Sequence, residues 1–228
     1  MGFIGFNFNL LDQLSFYGFY HQKHGNQIIH FFFVPAILWS VDVWLAYTGA
    51  LWGVDLPAHL SFLPPWLAGA AVFNWTLVNN FIVLGLYFTT LEPFAGLSWT
   101  ACIGLPLWLS ATLFWQHVAH AWAWAIPVHI AGWLMQVVVG HIMIEHRKPA
   151  LLDSLFQSLI LASLFAWMEG LFRLGYRPKL QEQLRKRIAE RGQQAASDST
   201  SPLLAQSDRQ PAASMTKKGL SGSSSSAQ

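Results

Sequence analysis

Long windows without formal charge constrain this chain more than any other feature of it. Lys23 and Asp42 leave residues 24–41 clear, Asp55 and Glu92 leave 36 residues clear, and Glu92 and Glu145 leave 52. A helix that spans a bilayer needs about 20 mostly apolar residues. The first window predicts a span over 28–50, interrupted by Asp42. The second predicts one over 66–89. The third is long enough for two, 98–116 and 123–144, joined by a turn near His117–Trp122. Only 11% of the residues are charged, against roughly 25% in ordinary soluble domains. The expected fold is therefore an all-α integral membrane bundle of four spans. A fifth apolar stretch, 151–172, carries Asp153, Gln157, Ser158, Ser163 and Glu169 and reads as a re-entrant or interfacial helix.

The ends differ from the middle. Residues 10–24 form a short aromatic helix suited to the membrane interface, and the sequence before them has no basic n-region of a signal peptide. Residues 1–172 hold three basic and seven acidic residues, a net of −4, whereas 173–228 hold ten and four, a net of +6. Lys23, Arg147, Lys148 and the basic tail fall on one side of a four-span arrangement. The positive-inside tendency then puts both termini in the cytosol. The tail follows an apolar body and lacks interleaved aromatics, so its charge points away from nucleic acid and toward a membrane surface or solubility. Residues 176–196 predict a polar helix with Glu182–Lys186 and Lys186–Glu190 pairs. Residues 197–228 carry too little apolar surface to order. The lone Cys102 excludes an internal disulfide framework.

Nine histidines in so apolar a chain need an account, because ionisable groups at membrane depth face a bundle interior or a cavity. His21, His24, Asn26 and His30 cluster at the start of the first span. Asn26 and His30, four apart, share a face. Gln136, His141 and Glu145 lie in the fourth span, and an α-helical period puts His141 and Glu145 on one face. The plainer reading of the first group is a set of interfacial histidines, and of Glu145 a partner for Arg147 or Lys148. His117 and His120 read as members of an aromatic belt, and His59 as a loop residue. In a four-span bundle the start of span one and the end of span four meet, so His21, His24 and His30 can converge with His141 and Glu145. Imidazoles with a carboxylate suit iron or zinc, and two histidines with one carboxylate form the non-haem Fe(II) oxygenase pattern. His129 lies ~18 Å from His141 along an ideal helix, too far to share an ion unless the helix is broken. Asp42, Asn74, Asn79, Asn80 and Glu92 can line a polar cavity or satisfy one another.

The pattern YH-x4-N-x3-H-x4-P (Tyr20, His21, Asn26, His30, Pro35), followed by W-x2-Q-x4-H-x3-E-x3-PAL (Trp133, Gln136, His141, Glu145, Pro149–Leu151), resembles the membrane 2-hydroxy fatty acid dioxygenase family. The resemblance spans about residues 10–175. The segment LEPFAGL, Leu91–Leu97, is also similar to the family's turn between spans. The resemblance implies an endoplasmic reticulum enzyme of fatty acid α-oxidation and phytosphingosine breakdown. It would use Fe(II) and O2 to shorten a 2-hydroxy fatty acid by one carbon. It implies His21, His30 and His141 as metal ligands, Glu145 as ligand or base, Asn26 and Gln136 as substrate-binding residues, and His129 as a further candidate ligand. A 2-hydroxy carboxylate can chelate the metal and supply the electrons itself, without 2-oxoglutarate. Membrane lipids are the expected surroundings, nucleic acid is not an expected partner, and the oligomeric state is left open. Three other readings stand beside it: a di-iron hydroxylase or desaturase, for which the histidine clusters are too few; a bis-histidine haem protein; and a lipid-binding scaffold without activity.

Overall fold

The computed structural model describes residues 8–146 and 155–207. Its elements are helical throughout, with no strand among the described residues. The helix α1 (Leu10–Tyr20) starts at Asn9, whose side chain accepts from Asp12 N. It is followed by α2 (His24–Ala46), α3 (Trp75–Leu91), α4 (Pro93–His117), α5 (Ala121–Glu145), α6 (Leu155–Arg173) and α7 (Pro178–Ser207). Short helical turns occupy the stretch between α2 and α3.

Three helices, α2, α4 and α5, are long and apolar enough to cross a membrane, and α3 is a shorter apolar helix. Three of the four expected spans appear as helices of spanning length, and the second, expected over 66–89, as the shorter α3. It begins at Trp75 because Asn74 caps it, accepting from Leu77 N. It ends where Glu92 leaves helical geometry and caps α4 ahead of Pro93. The expected turn at His117–Trp122 is present, with His120 in the left-handed region at φ 54°.

The helices α2 and α5 run antiparallel and in close contact. Trp44 Nε1 donates to Trp122 O at 3.0 Å, and Ser40 Oγ lies 2.8 Å from His129 Nδ1. A Cβ on Gly132 would stand 2.5 Å from Ile37, and one on Gly140 would overlap Asn26 Oδ1. Glycine at these two points lets the backbones approach, as small residues do between membrane helices. The helix α6 adds Leu161, Leu164, Phe165 and Met168 to the core that Leu14, Tyr17, Phe88 and Trp99 share. Trp99 donates to Ser163 and Trp167 to Ser98, tying α4 to α6.

Several buried polar groups of the apolar helices pair with one another. Asp42, fully buried, accepts from Asn79 Nδ2 at 3.1 Å and Asn80 Nδ2 at 2.8 Å, and its carbonyl accepts from Thr76. Asn74 donates to Thr112. Glu92 holds Ala95 N, the Tyr176 hydroxyl and Arg177, so it anchors the start of α4 to the chain after α6.

The chain divides into two units, Met1–Ala189 and Glu190–Gln228. Leu180 and Leu184 of α7 are buried in the first. The helix α7 runs past the expected end at 196 to Ser207. The expected disordered stretch from 208 onward, the Pro149–Leu151 motif, Asp153 and the Arg147 and Lys148 partners lie outside the described residues.

Candidate metal centre and cavity

The site is built where α1 ends, α2 begins and α5 finishes. His21 follows the last residue of α1, and its Nδ1–H donates to Tyr17 O at 2.8 Å. His30 lies on α2, and its Nδ1–H donates to Asn26 O at 3.0 Å. A carbonyl only accepts, so each ring carries its proton on Nδ1 and presents a lone pair at Nε2. The two Nε2 atoms are 3.2 Å apart. His141 closes the group, its ring centroid 4.7 Å from that of His21 and 5.3 Å from that of His30. One nitrogen from each ring falls within 4.8 Å of the others. All three residues are buried.

Two features of this trio fit a cation. Two lone pairs facing each other at 3.2 Å repel unless a positive centre lies between them. His141 Nδ1 is buried with no hydrogen-bond partner, as are Gln136 Nε2 and Asn26 Oδ1. Bonds of about 2.1 Å at a right angle place donor nitrogens about 3.0 Å apart, close to the spacing seen. Carbonyls that fix the tautomer of two ligating imidazoles are the usual outer support of a metal site. Burial, reinforced by neighbouring His30, holds His21 well below the ordinary imidazole value, so it stays a neutral donor.

The helix α5 is wound as a π-helix from Met135 to Glu145, a winding in which residues four apart still lie on one side. The Glu145 carboxylate meets the 21–26 segment. Oε1 accepts from Gln22 N at 2.9 Å. Oε2 accepts from Lys23 N at 2.9 Å and from Asn26 Nδ2 at 3.2 Å. The residue before α2, Lys23, has no side-chain cap, and Glu145 supplies the negative charge at that positive helix end. Both its oxygens are thereby engaged. It positions the 21–26 segment, and among the described residues the group that could hold a metal ion is His21, His30 and His141. Asn26 is the hinge of this arrangement, touching Glu145, His30 and Gly140 at once.

The structure sets the remaining histidines apart from the trio. His129 Nδ1 lies against Ser40 Oγ and its Nε2 accepts from Trp133 Nε1 at 2.9 Å, so both nitrogens are used a dozen residues away on α5. His24 accepts from Arg173, which also donates to Gln27. His117 and His120 sit at the α4–α5 turn.

A cavity of about 460 Å³ runs from the trio along α2, within the range of small-molecule sites. Its wall carries His21, His30 and His141 at one end, and Val41, Asn79 and His129 toward the other. Between them lie Val34, Ile37, Leu38, Val83, Leu84 and Val137, which make most of the surface apolar. Gln136 is on the same wall. So is Tyr17, which the sequence did not single out. The signal it offered was its position one helical turn before His21.

The family model described as 2-hydroxy-palmitic acid dioxygenase Mpo1-like matches residues 8–174. The chain is 35% identical over 176 residues to the 2-hydroxy-palmitic acid dioxygenase MPO1 of Saccharomyces cerevisiae, covering 77% of this chain and 87% of that protein. No solved structure matches the chain. The matched region contains α1 through α6, the histidine trio and the cavity, and the chain belongs to the Mpo1-like family.

Proposed function

We propose that this protein is an Fe(II)-dependent dioxygenase that converts a 2-hydroxy fatty acid and O2 to the acid one carbon shorter. The observation that carries it is three buried imidazoles, two with their proton fixed on Nδ1, converging at the end of an apolar cavity. His21, His30 and His141 would hold the metal. Bound iron would supply a site where O2 and the 2-hydroxy carboxylate meet. The net change RCH(OH)COOH + O2 → RCOOH + CO2 + H2O balances without a separate reductant.

The protein's own groups have separable tasks. Tyr17 O and Asn26 O orient two imidazoles and keep their Nε2 lone pairs free. Glu145 fixes the segment that carries His21 against α5. Gln136 Nε2, buried without a partner on the cavity wall, is a donor for the substrate's oxygen atoms. Asn26 Nδ2 donates to Glu145 and its carbonyl orients His30, so it acts through these neighbours, while its Oδ1 stays without a partner. Val34, Ile37, Leu38 and Val137 exclude water and accept the acyl chain. The apolar helices support a membrane enzyme; the reading places it in the endoplasmic reticulum, with α3 as a fourth crossing and both termini cytosolic. The helix α6 would then cover the bundle without crossing. The product's odd-numbered chain fits a role in clearing 2-hydroxy acids from phytosphingosine.

The test is purification under anaerobic conditions in detergent, iron quantification, and addition of Fe(II), O2 and 2-hydroxypalmitate. Iron-dependent formation of the fifteen-carbon acid, lost in His141→Ala, is the expected result. Bound iron without that product would overturn the substrate assignment.

A further inference from the structure

We propose that Tyr17 is a substrate-binding residue whose phenol donates a hydrogen bond to the carboxylate of the chain held in the cavity. The inference rests on the dioxygenase reading above and assigns the head group a second, non-metal contact.

Tyr17 is 3% exposed and lies on the cavity wall. Its ring stacks on His21, with centroids 4.0 Å apart and planes 3° from parallel. It meets His30 edge-on at 6.4 Å and Phe165 at 4.8 Å on its flank. The ring is therefore fixed in place beside two of the three histidines.

Its hydroxyl is the anomaly. A buried tyrosine normally finds a hydrogen-bond partner. The Tyr87 hydroxyl accepts from Gln13, that of Tyr47 from Trp122 N, and Tyr176 donates to Glu92. The Tyr17 hydroxyl has no such partner among the described residues. A phenol carries its own proton, so it can donate to a ligand. Gln136 Nε2, on the wall of the same cavity, is a second donor without an acceptor. Two unpaired donors beside three imidazoles call for a ligand that brings acceptor oxygens. Of the groups on a 2-hydroxy fatty acid, the carboxylate offers the most acceptor sites and the charge that strengthens them.

The competing account is that Tyr17 only props His21 by stacking. Tyr17→Phe separates the two, since it keeps the ring and deletes the hydroxyl. Four quantities would be measured on the full-length variant and its parent: bound iron, thermal midpoint, direct binding of labelled 2-hydroxypalmitate, and turnover. Competition by 1,2-hexadecanediol, which keeps the chain and the 2-hydroxyl but lacks the carboxylate, would be measured too. The expected result is unchanged iron, an unchanged or higher midpoint, and binding weakened about 10- to 100-fold, the loss of one hydrogen bond to a charged group. The diol should compete equally in both proteins. Parental binding and turnover in Tyr17→Phe overturn the proposal, and so does a loss of iron or of stability, which assigns a propping role. If the parent binds 2-hydroxypalmitate but makes no shortened acid, the dioxygenase reading fails while the binding comparison still decides Tyr17. If the parent binds no 2-hydroxypalmitate, both fall.

Discussion

His21 and His30 face each other through Nε2 atoms 3.2 Å apart, each with its Nδ1–H committed to a carbonyl four residues earlier. Without a cation that pairing is repulsive, so metal binding should stabilise the fold as well as enable chemistry. Saturating Fe(II) is expected to raise the thermal midpoint of the parent, because a ligand that binds only the folded state shifts the equilibrium by mass action. In His21→Ala, His30→Ala or His141→Ala, the shift should vanish and turnover should fall at least about 100-fold. The metal-free midpoint of His30→Ala should fall less than burial alone predicts, since one of the opposed lone pairs is gone. A full metal-induced shift in all three variants would place the metal elsewhere.

Glu145 connects α5 to the segment that carries His21, through Gln22 N, Lys23 N and Asn26 Nδ2. Replacing it with alanine leaves the buried Asn26 amide and the N–H groups of the exposed Gln22 and Lys23 without this acceptor. A cost of about 2–3 kcal/mol is expected, together with a loss of about 10- to 100-fold in iron affinity through the misplaced imidazole. Glu145→Gln keeps an acceptor and should lose less on both counts. Iron titration and thermal unfolding of the two variants check this. A variant that binds iron normally but is inactive would instead make Glu145 a catalytic base.

Gly140 is a spacing residue. A Cβ there would overlap Asn26 Oδ1, and Asn26 is the residue that touches both Glu145 and His30. Gly140→Ala should separate α2 from α5, cost about 1–3 kcal/mol and weaken iron binding, although no ligand is changed. Gly69, with nothing near its missing Cβ, is the control position for the same substitution.

The apolar helices were legible because charge-free windows report membrane depth directly. The convergence of His21, His30 and His141 followed from the antiparallel order of spans and needed no knowledge of packing. The spacing put Glu145 on His141's face, but not its contacts to Gln22 N, Lys23 N and Asn26 Nδ2, which need the approach of α5 to the 21–26 segment. The π-winding of 135–145 leaves no mark in residue types. The duties of Asn26 and Gly140 depend on a single close approach between two helices. Tyr17 was hidden among Phe16, Phe19 and Tyr20, which share its composition. Only the missing partner of its hydroxyl distinguishes it, and that is a property of the fold.

His129 lies toward the end of the cavity away from the histidine trio. Its nitrogens are held by Ser40 and Trp133, so His129→Leu should keep a full complement of iron while losing about 1–2 kcal/mol of stability. Retained iron would remove it from the ligand set, and lost iron would restore it. The same level of the bundle bounds the space for an acyl chain. Val41 lies eleven residues from His30 on α2, ~16 Å along the helix axis, beside Asp42 and its asparagine partners. An apolar chain gains nothing by entering that polar cluster, since its buried hydrogen bonds would have to break. Val41→Trp should therefore fill the distal end of the cavity and discriminate by length. Turnover of 2-hydroxypalmitate is expected to fall at least about 10-fold, with a ten-carbon 2-hydroxy acid affected little. The check is a chain-length series under saturating iron. A uniform fall at every length would mean that the chain leaves the cavity sideways into lipid and that Val41 does not limit it.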